Sequence, residues 1–295
     1  MRVTNSMVLS STLSDLNRSL QRLQVSQADL TTGRVVRRPS DDPTRASASM
    51  SIRNQLRRAD HSERALVDAQ AWLSTADTAL VSGLETLGSV KEAAVRAAND
   101  GALNPTSREG IAASIEGMRS DLLGLANTKY LNRSIFNGTA AGDAYDAAGV
   151  YQGNDAQVIR EIGPGTTVVA NMTGEAIFGS QSAPEGDVFA VIDRLAAAIR
   201  AGDTAGITAA HADLDVATTR WSSATAEIGS RAARVEGVRA RAATTEVELR
   251  NALSELEDTD IAEALISVKA NENAYTAALT AAAKVLPPSL VDFMR

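Results

Sequence analysis

The segment SMVLSSTLSDLNRSLQRLQVSQADLTT, residues 6–32, decides the fold. Leu9, Leu13, Leu16, Leu20 and Leu23 recur in steps of four and three; Gln27 takes the next position and Leu30 the one after. That alternation is the seam of a coiled-coil helix. The far end of the chain repeats it, in Ile261, Leu265, Val268, Glu272, Tyr275, Leu279, Ala282 and Leu286. A lone helix cannot bury its own apolar stripe, so each seam needs cover from the other or from a neighbouring copy. Marginal helices of this kind are expected to order only on assembly.

Working inward, Gly33 stands where a helix ends and a left-handed residue is favoured. Thr32 to Pro43, TGRVVRRPSDDP, follows it. Two prolines four residues apart forbid a continuous helix, and Ser40, Asp41 and Asp42 supply side-chain acceptors for a fixed turn. From Pro43 to Asp100 a helix is expected, with Leu66, Ala69, Leu73, Ala76, Leu80, Leu84, Leu87 and Val90 as its stripe. A third helix starts near Thr106, a candidate cap with Glu109 three residues on, and carries Ile111, Ile115, Met118, Leu122 and Leu125.

Beyond Asn132 glycine becomes frequent, and short β-prone pieces appear at Val150-Tyr151, Val158 to Ile162, Thr166 to Val169 and Ile177-Phe178. Helical spacing returns at Val188, Ile192, Leu195 and Ile199, breaks at Gly202-Asp203, and resumes through Ile207, Leu214, Trp221 and Ile228. Asp260 with Glu263 signals one more helix start. The expected fold is mainly α: a long antiparallel helical hairpin or coiled-coil bundle built from both chain ends, with a small β-rich insertion at the tip. Residues 1–38 and 258–295 would form the inner coiled coil. Residues 39–134 and 187–257 would form a helical rod, and 135–186 the insertion.

Composition narrows the function. The 295 residues carry a net charge of −7 and include no cysteine, which excludes disulfides and thiolate chemistry. An acidic balance opposes general nucleic-acid binding. Eight arginines between Thr31 and Arg64 face only Asp41, Asp42, Asp60 and Glu63, a zone that reads as a solvated face or a subunit contact rather than a nucleic-acid site. No apolar run approaches the roughly 20 residues that span a bilayer. Met1 to Ser11 lack the apolar core of a secretory signal, so any export would use another route. His61 and His211 are the only histidines. No metalloprotease, phosphate-loop or nucleophile-elbow motif occurs, so neither an enzyme nor a cofactor is expected. Trp72 and Trp221 sit beside apolar seams and read as core.

Several motifs carry a family resemblance. Arg37-Arg38-Pro39-Ser40-Asp41-Asp42-Pro43 resembles the turn after the first helix in the flagellin superfamily. Ile135-Phe136-Asn137-Gly138 resembles that family's entry into its β insertion; Tyr151 to Asp155 and Asn171 to Phe178 resemble pieces within it. The ending, Ser289 to Arg295, resembles the tail of the members that join hook to filament. The resemblance implies a structural, extracellular subunit, exported through the flagellar type III apparatus with a chaperone and without a cleavable signal. It would contact copies of itself, hook-associated protein 1 on one side and flagellin on the other. Its end seams (Leu9, Leu13, Leu16, Leu20, Leu23, Leu30; Ile261, Leu265, Val268, Tyr275, Leu279, Leu286) would make the assembly contacts. The alternatives are bulk flagellin, in which that turn is alanine-rich, and a soluble coiled-coil regulator of secretion or signalling.

Overall fold

The computed structural model describes residues 5–99, 104–163, 165–182 and 186–285. Leu286, Pro287-Pro288, the tail Ser289–Arg295 and the expected helix end at Asp100 lie outside them. Seven helices and four short strands follow in the order α1 (Asn5–Thr32), α2 (Pro43–Asn99), α3 (Pro105–Ala126), β1 (Lys129–Tyr130), β2 (Arg133–Ser134), β3 (Ile159–Gly163), β4 (Thr166–Val169), α4 (Gly174–Phe178), α5 (Val188–Ala201), α6 (Thr204–Glu257) and α7 (Ile261–Val285). The fold is mainly α, as the periodicity requires. Two compact units share α2 and α6: residues 1–58 with 245–295, and residues 59–244.

The central unit (59–244) is built on two heptad stripes. Leu66, Leu73, Leu80 and Leu87 on α2 are fully buried, as are Leu214, Ile228 and Val235 on α6, with Ile207 and Trp221 nearly so. The two helices run antiparallel. Arg239 meets Glu63, Trp221 meets Leu80 and Lys91 meets Asp215, so numbers fall on one helix as they rise on the other. Trp221 locks the crossing. Its indole Nε1 donates to the Leu80 carbonyl at 2.9 Å, and its ring lies so close to Gly83 that an added Cβ would sit 2.2 Å from it. Glycine is therefore the residue that lets this ring reach the α2 backbone.

Helices α3 and α5 add a second antiparallel pair, Ile115 and Leu122 packing into the same core as Ile192, Leu195 and Ile199. Arg119 bridges Asp193 and Arg200 bridges both Glu109 and Glu116 across their surface. The α3 start differs from expectation. Asn104, rather than Thr106, is the cap; its side chain accepts from Ser107 N at 2.7 Å and Pro105 takes the first helical position.

The α3–α5 connection holds two antiparallel hairpins, β1–β2 and β3–β4. Leu131 and Asn132 turn the first in left-handed conformation, φ 47 and 64, the geometry of a tight two-residue turn. Ile177-Phe178, expected as strand, is the end of helix α4. Tyr151 makes only an isolated bridge to Tyr145. A short apolar run has no resolvable period, and here the aromatic core decided. Phe178 stands edge-on to Trp221 at 4.7 Å and packs against Tyr145 and Phe189. The loops thus share the helices' core.

Candidate assembly interface

In the unit formed by residues 1–58 and 245–295, α1 and α7 pack on each other. Both leave from one junction. Gly33 N–H donates to Asp29 at 2.9 Å and adopts φ 66, which ends α1. Its carbonyl then accepts from Thr259 N at 2.9 Å, while Val35 N donates to the Glu257 carbonyl at 2.8 Å. These bonds pin the exit of α1 beside the entry of α7. Asp260 Oδ1 caps α7, accepting from Ala262 N at 2.8 Å and Glu263 N at 3.3 Å.

The turn is closed by its own acids. Asp41 Oδ2 accepts from Arg38 N at 2.9 Å, and Asp41 N donates back to the Arg38 carbonyl at 3.0 Å. Asp42 Oδ1 accepts from both Thr44 N and Arg45 N at 3.0 Å, so it caps α2, and Pro43 is the first helical residue. Arg37 pairs with Asp29 at 3.2 Å. Arg38, Pro39 and Ser40 are exposed. Four members of Arg37 to Pro43 thus have a definite place: two acids fold the backbone, one proline starts a helix, one arginine ties the turn to α1.

Glu257 ties the end of α6 to the segments on either side of the turn, Arg34 and Val35 before it and Arg53 after it. Its side chain is 7% exposed and receives both Nε and a terminal nitrogen of Arg53, with Arg34 4.0 Å away. The Arg53 hydrogen bonds hold this carboxyl below its ordinary range and outweigh the opposing effect of burial. No local pattern marked this pair, because its members stand 204 residues apart in sequence.

Along α1, Leu23 is buried and Leu16, Leu20 and Leu30 are half-buried, whereas Leu13 is 52% exposed. The Leu9 side chain lies outside the described ones. Between the leucines, Ser19 and Ser26 are buried. Ser26 Oγ donates to the Leu23 carbonyl and accepts from Asn271 Nδ2 of α7 at 3.2 Å. Small hydroxyl residues seven apart let the helices approach closely; their spacing was the available signal. On α7 the residues turned inward are Ala264 and Val268, with Asn271, Tyr275, Ala278 and Ala282 half-buried. Ile261, Leu265 and Leu279 lie off this contact, exposed by 69%, 58% and 41%. Ile266 is 71% exposed beside them. The single chain therefore pairs its two ends through Leu23, Val268 and several small residues, yet leaves a set of large apolar ones, most of them on α7, turned outward.

Among the described residues no group of three or more His, Cys, Asp or Glu could hold a metal, and no helix is long and apolar enough to cross a membrane.

The sequence profile of the bacterial flagellin N-terminal helical region matches residues 3–141, and that of the flagellin C-terminal helical region matches 212–294. Together they take in about three quarters of the chain. Flagellar hook-associated protein 3 of Salmonella typhimurium is 29% identical over 215 residues, 68% of this chain and 67% of that protein. Its counterpart in Escherichia coli K12 is 27% identical over 213 residues, with the same coverage. A flagellar hook-associated protein of Vibrio parahaemolyticus shares the fold, with a TM-score of 0.68 at 20% identity over 74% of this chain and all of that one. So does FlgL of Bacillus cereus, with a TM-score of 0.62 at 22% identity over 69% and 99%. The paired end helices, the acid-closed turn and these likenesses agree: the chain belongs to the flagellin superfamily and is similar to its hook-associated protein 3 members.

Proposed function

We propose that this chain is a structural subunit of the bacterial flagellum at the junction of hook and filament, and that it assembles through α1 and α7. The carrying observation is the set of large apolar residues that the end helices leave open: Leu13 on α1, and Ile261, Leu265, Ile266 and Leu279 on α7. Fully covering one such side chain contributes about 1.5–3 kcal/mol. Five of them are a substantial drive for association once neighbours are ordered beside them. The work of the chain is mechanical: it presents one lattice to hook-associated protein 1 below and another to flagellin above. Travel through the flagellar export apparatus with a chaperone belongs to the same reading, since a subunit placed at the distal end of a growing tube must reach it through that tube.

The turn Arg37 to Pro43 has a defined part in this. It sets where α2 begins and ties back to α1 through Arg37, while Gly33, Val35 and Glu257 hold the α7 entry, so the end pair is presented in one geometry rather than on a loose tether.

The test uses residues already open in the free chain. Leu265→Asp with Ile266→Asp should leave the purified protein folded, yet absent from flagella of cells that lack the parent gene, which then carry hooks without filaments. Filaments of normal length with the double variant at their base would overturn the reading. Labelling of isolated flagella with an antibody separates a junction subunit, present at one end, from a bulk filament subunit present throughout.

A further inference from the structure

The same unit carries a second, charged pair of faces. The α2 segment 43–58 contains four arginines and no acidic residue, while the α6 segment 245–257 contains four glutamates and one arginine. Part of this charge is consumed within the chain: Arg53 by Glu257, Arg45 by Asp42, Arg250 by Glu246. Arg57 and Arg58 on α2, and Glu248 and Glu255 on α6, are exposed and form no ion pair among the described residues. Half-buried Ile52 and Leu56 mark the inner side of α2, and Leu249 and Leu256 that of α6. Arg57 and Arg58 therefore lie on the outer side of α2, and Glu248 and Glu255 on a solvent face of α6, one heptad or about 10.5 Å apart. Each face also holds one exposed apolar residue, Met50 at 54% and Val247 at 55%.

We infer that these faces dock two copies of the chain side by side, the arginine face of α2 in one copy against the glutamate face of α6 in the next. The inference rests on the assembly reading above and adds the lateral contact that orients neighbours. The occupant follows from charge: the partner of the basic face must be acidic, and the chain carries such a face on the adjoining helix. Because the two faces differ, the contact is heterologous. It propagates from copy to copy into a ring or helix and does not stop at a pair. Matching faces of two copies repel, so the charges also reject the wrong orientation. Met50, one heptad or about 10.5 Å before Arg57, and Val247, next to Glu248, add apolar contact to the two faces, and the ionic part weakens with salt.

Charge reversal tests this in the full chain. Arg57→Glu with Arg58→Glu places acid against acid, and Glu248→Lys with Glu255→Lys places base against base. Each pair should lower incorporation into flagella by about tenfold or more, while the circular dichroism of the free protein stays parental. Combining all four reversals restores complementarity with exchanged signs and should return incorporation to within about twofold of the parent. Parental incorporation of either two-residue variant overturns the proposal, and so does failure of the fourfold variant to recover. Retention of duplex DNA by the parent at physiological salt, lost in the Arg57→Glu, Arg58→Glu variant, would assign the basic face elsewhere and also overturn it. These outcomes separate from the assembly reading, which is tested by the Leu265→Asp, Ile266→Asp variant and by the presence of the parent in flagella, neither of which depends on the charged faces.

Discussion

The central unit and the end pair use the same seven-residue rhythm to opposite ends. In the central unit four successive heptad steps on each long helix hold a large residue turned inward: Leu66, Leu73, Leu80 and Leu87 face Leu214, Trp221, Ile228 and Val235, and all are buried. In the end pair the buried positions hold Leu23 and Val268 together with the small Ser19, Ser26 and Ala264, while Leu13, Leu265 and Leu279 look outward. The first pattern completes itself within one chain. The second closes a thin contact and leaves its larger apolar surface open. Where large residues point therefore separates a scaffold that stands alone from a surface made to be covered.

The largest expected effect tests the self-sufficient side. Trp221→Ala removes the ring that packs on Phe178 and Gly83 and the hydrogen bond to the Leu80 carbonyl. Truncation of a buried tryptophan costs about 3–5 kcal/mol. Urea denaturation of the variant should show that loss in the transition that reports the central unit, read by near-ultraviolet circular dichroism of its aromatic cluster. A loss below about 1 kcal/mol would mean the heptad core is redundant at its centre.

How much of this contrast was legible in the sequence depends on the residue. The stripes of α2 and α6 were, because leucine and isoleucine at heptad spacing admit a single buried face. Gly33 as a helix terminator and Asp42-Pro43 as a helix start were also legible, since both depend on local backbone chemistry. The register of α7 was less so. An alanine-rich helix satisfies a 4-3 alternation twice, once through Ile261, Leu265, Val268 and Leu279, and once through Ala264, Val268, Tyr275, Ala278 and Ala282. Residue size favours the first stripe for burial, but close approach to Ser19 and Ser26 selects the second. Contact distance, which a single sequence does not state, made the choice. The same limit hid the Arg53–Glu257 pair, and the shortness of Ile177-Phe178 hid a helix within a strand-like run.

An intermediate effect is expected at the turn that joins the two ends. Glu257→Gln leaves Arg53 and Arg34 without their acid. A fully buried pair broken this way costs about 3–5 kcal/mol. Arg53 is 42% exposed, so water offsets part of the loss and about 1–2 kcal/mol is expected. Acid should mimic the substitution. The folded carboxyl is held below its ordinary value of 4.5, so its contribution is complete above that value and is lost as pH falls through the lower, folded one. Amide exchange in α1 and α7 should therefore quicken in Glu257→Gln at neutral pH. In the parent, ellipticity from the end helices should fall as pH drops below 4.5, before the central unit unfolds. A flat acid profile through that window would show that the backbone bonds of Gly33, Val35 and Thr259 hold the junction unaided.

The smallest effect on the isolated chain is expected where the consequence for assembly is greatest. Leu13→Ser and Leu279→Ser change residues that are already 52% and 41% exposed, and surface substitutions of this kind move stability by about 0.5 kcal/mol or less. Leu23→Ser and Val268→Ser alter side chains of similar chemistry that are buried between α1 and α7, and should instead release the end pair in the free chain. Amide exchange distinguishes the two sets: protection along α1 should persist in the first and collapse in the second. Incorporation into flagella should fall in both, for different reasons, since the first set removes the surface that neighbours cover and the second the geometry in which it is held. If the outward set altered exchange in the free chain as much as the inward set, the open residues would be part of the chain's own packing, and the division between a finished core and an unfinished surface would not hold.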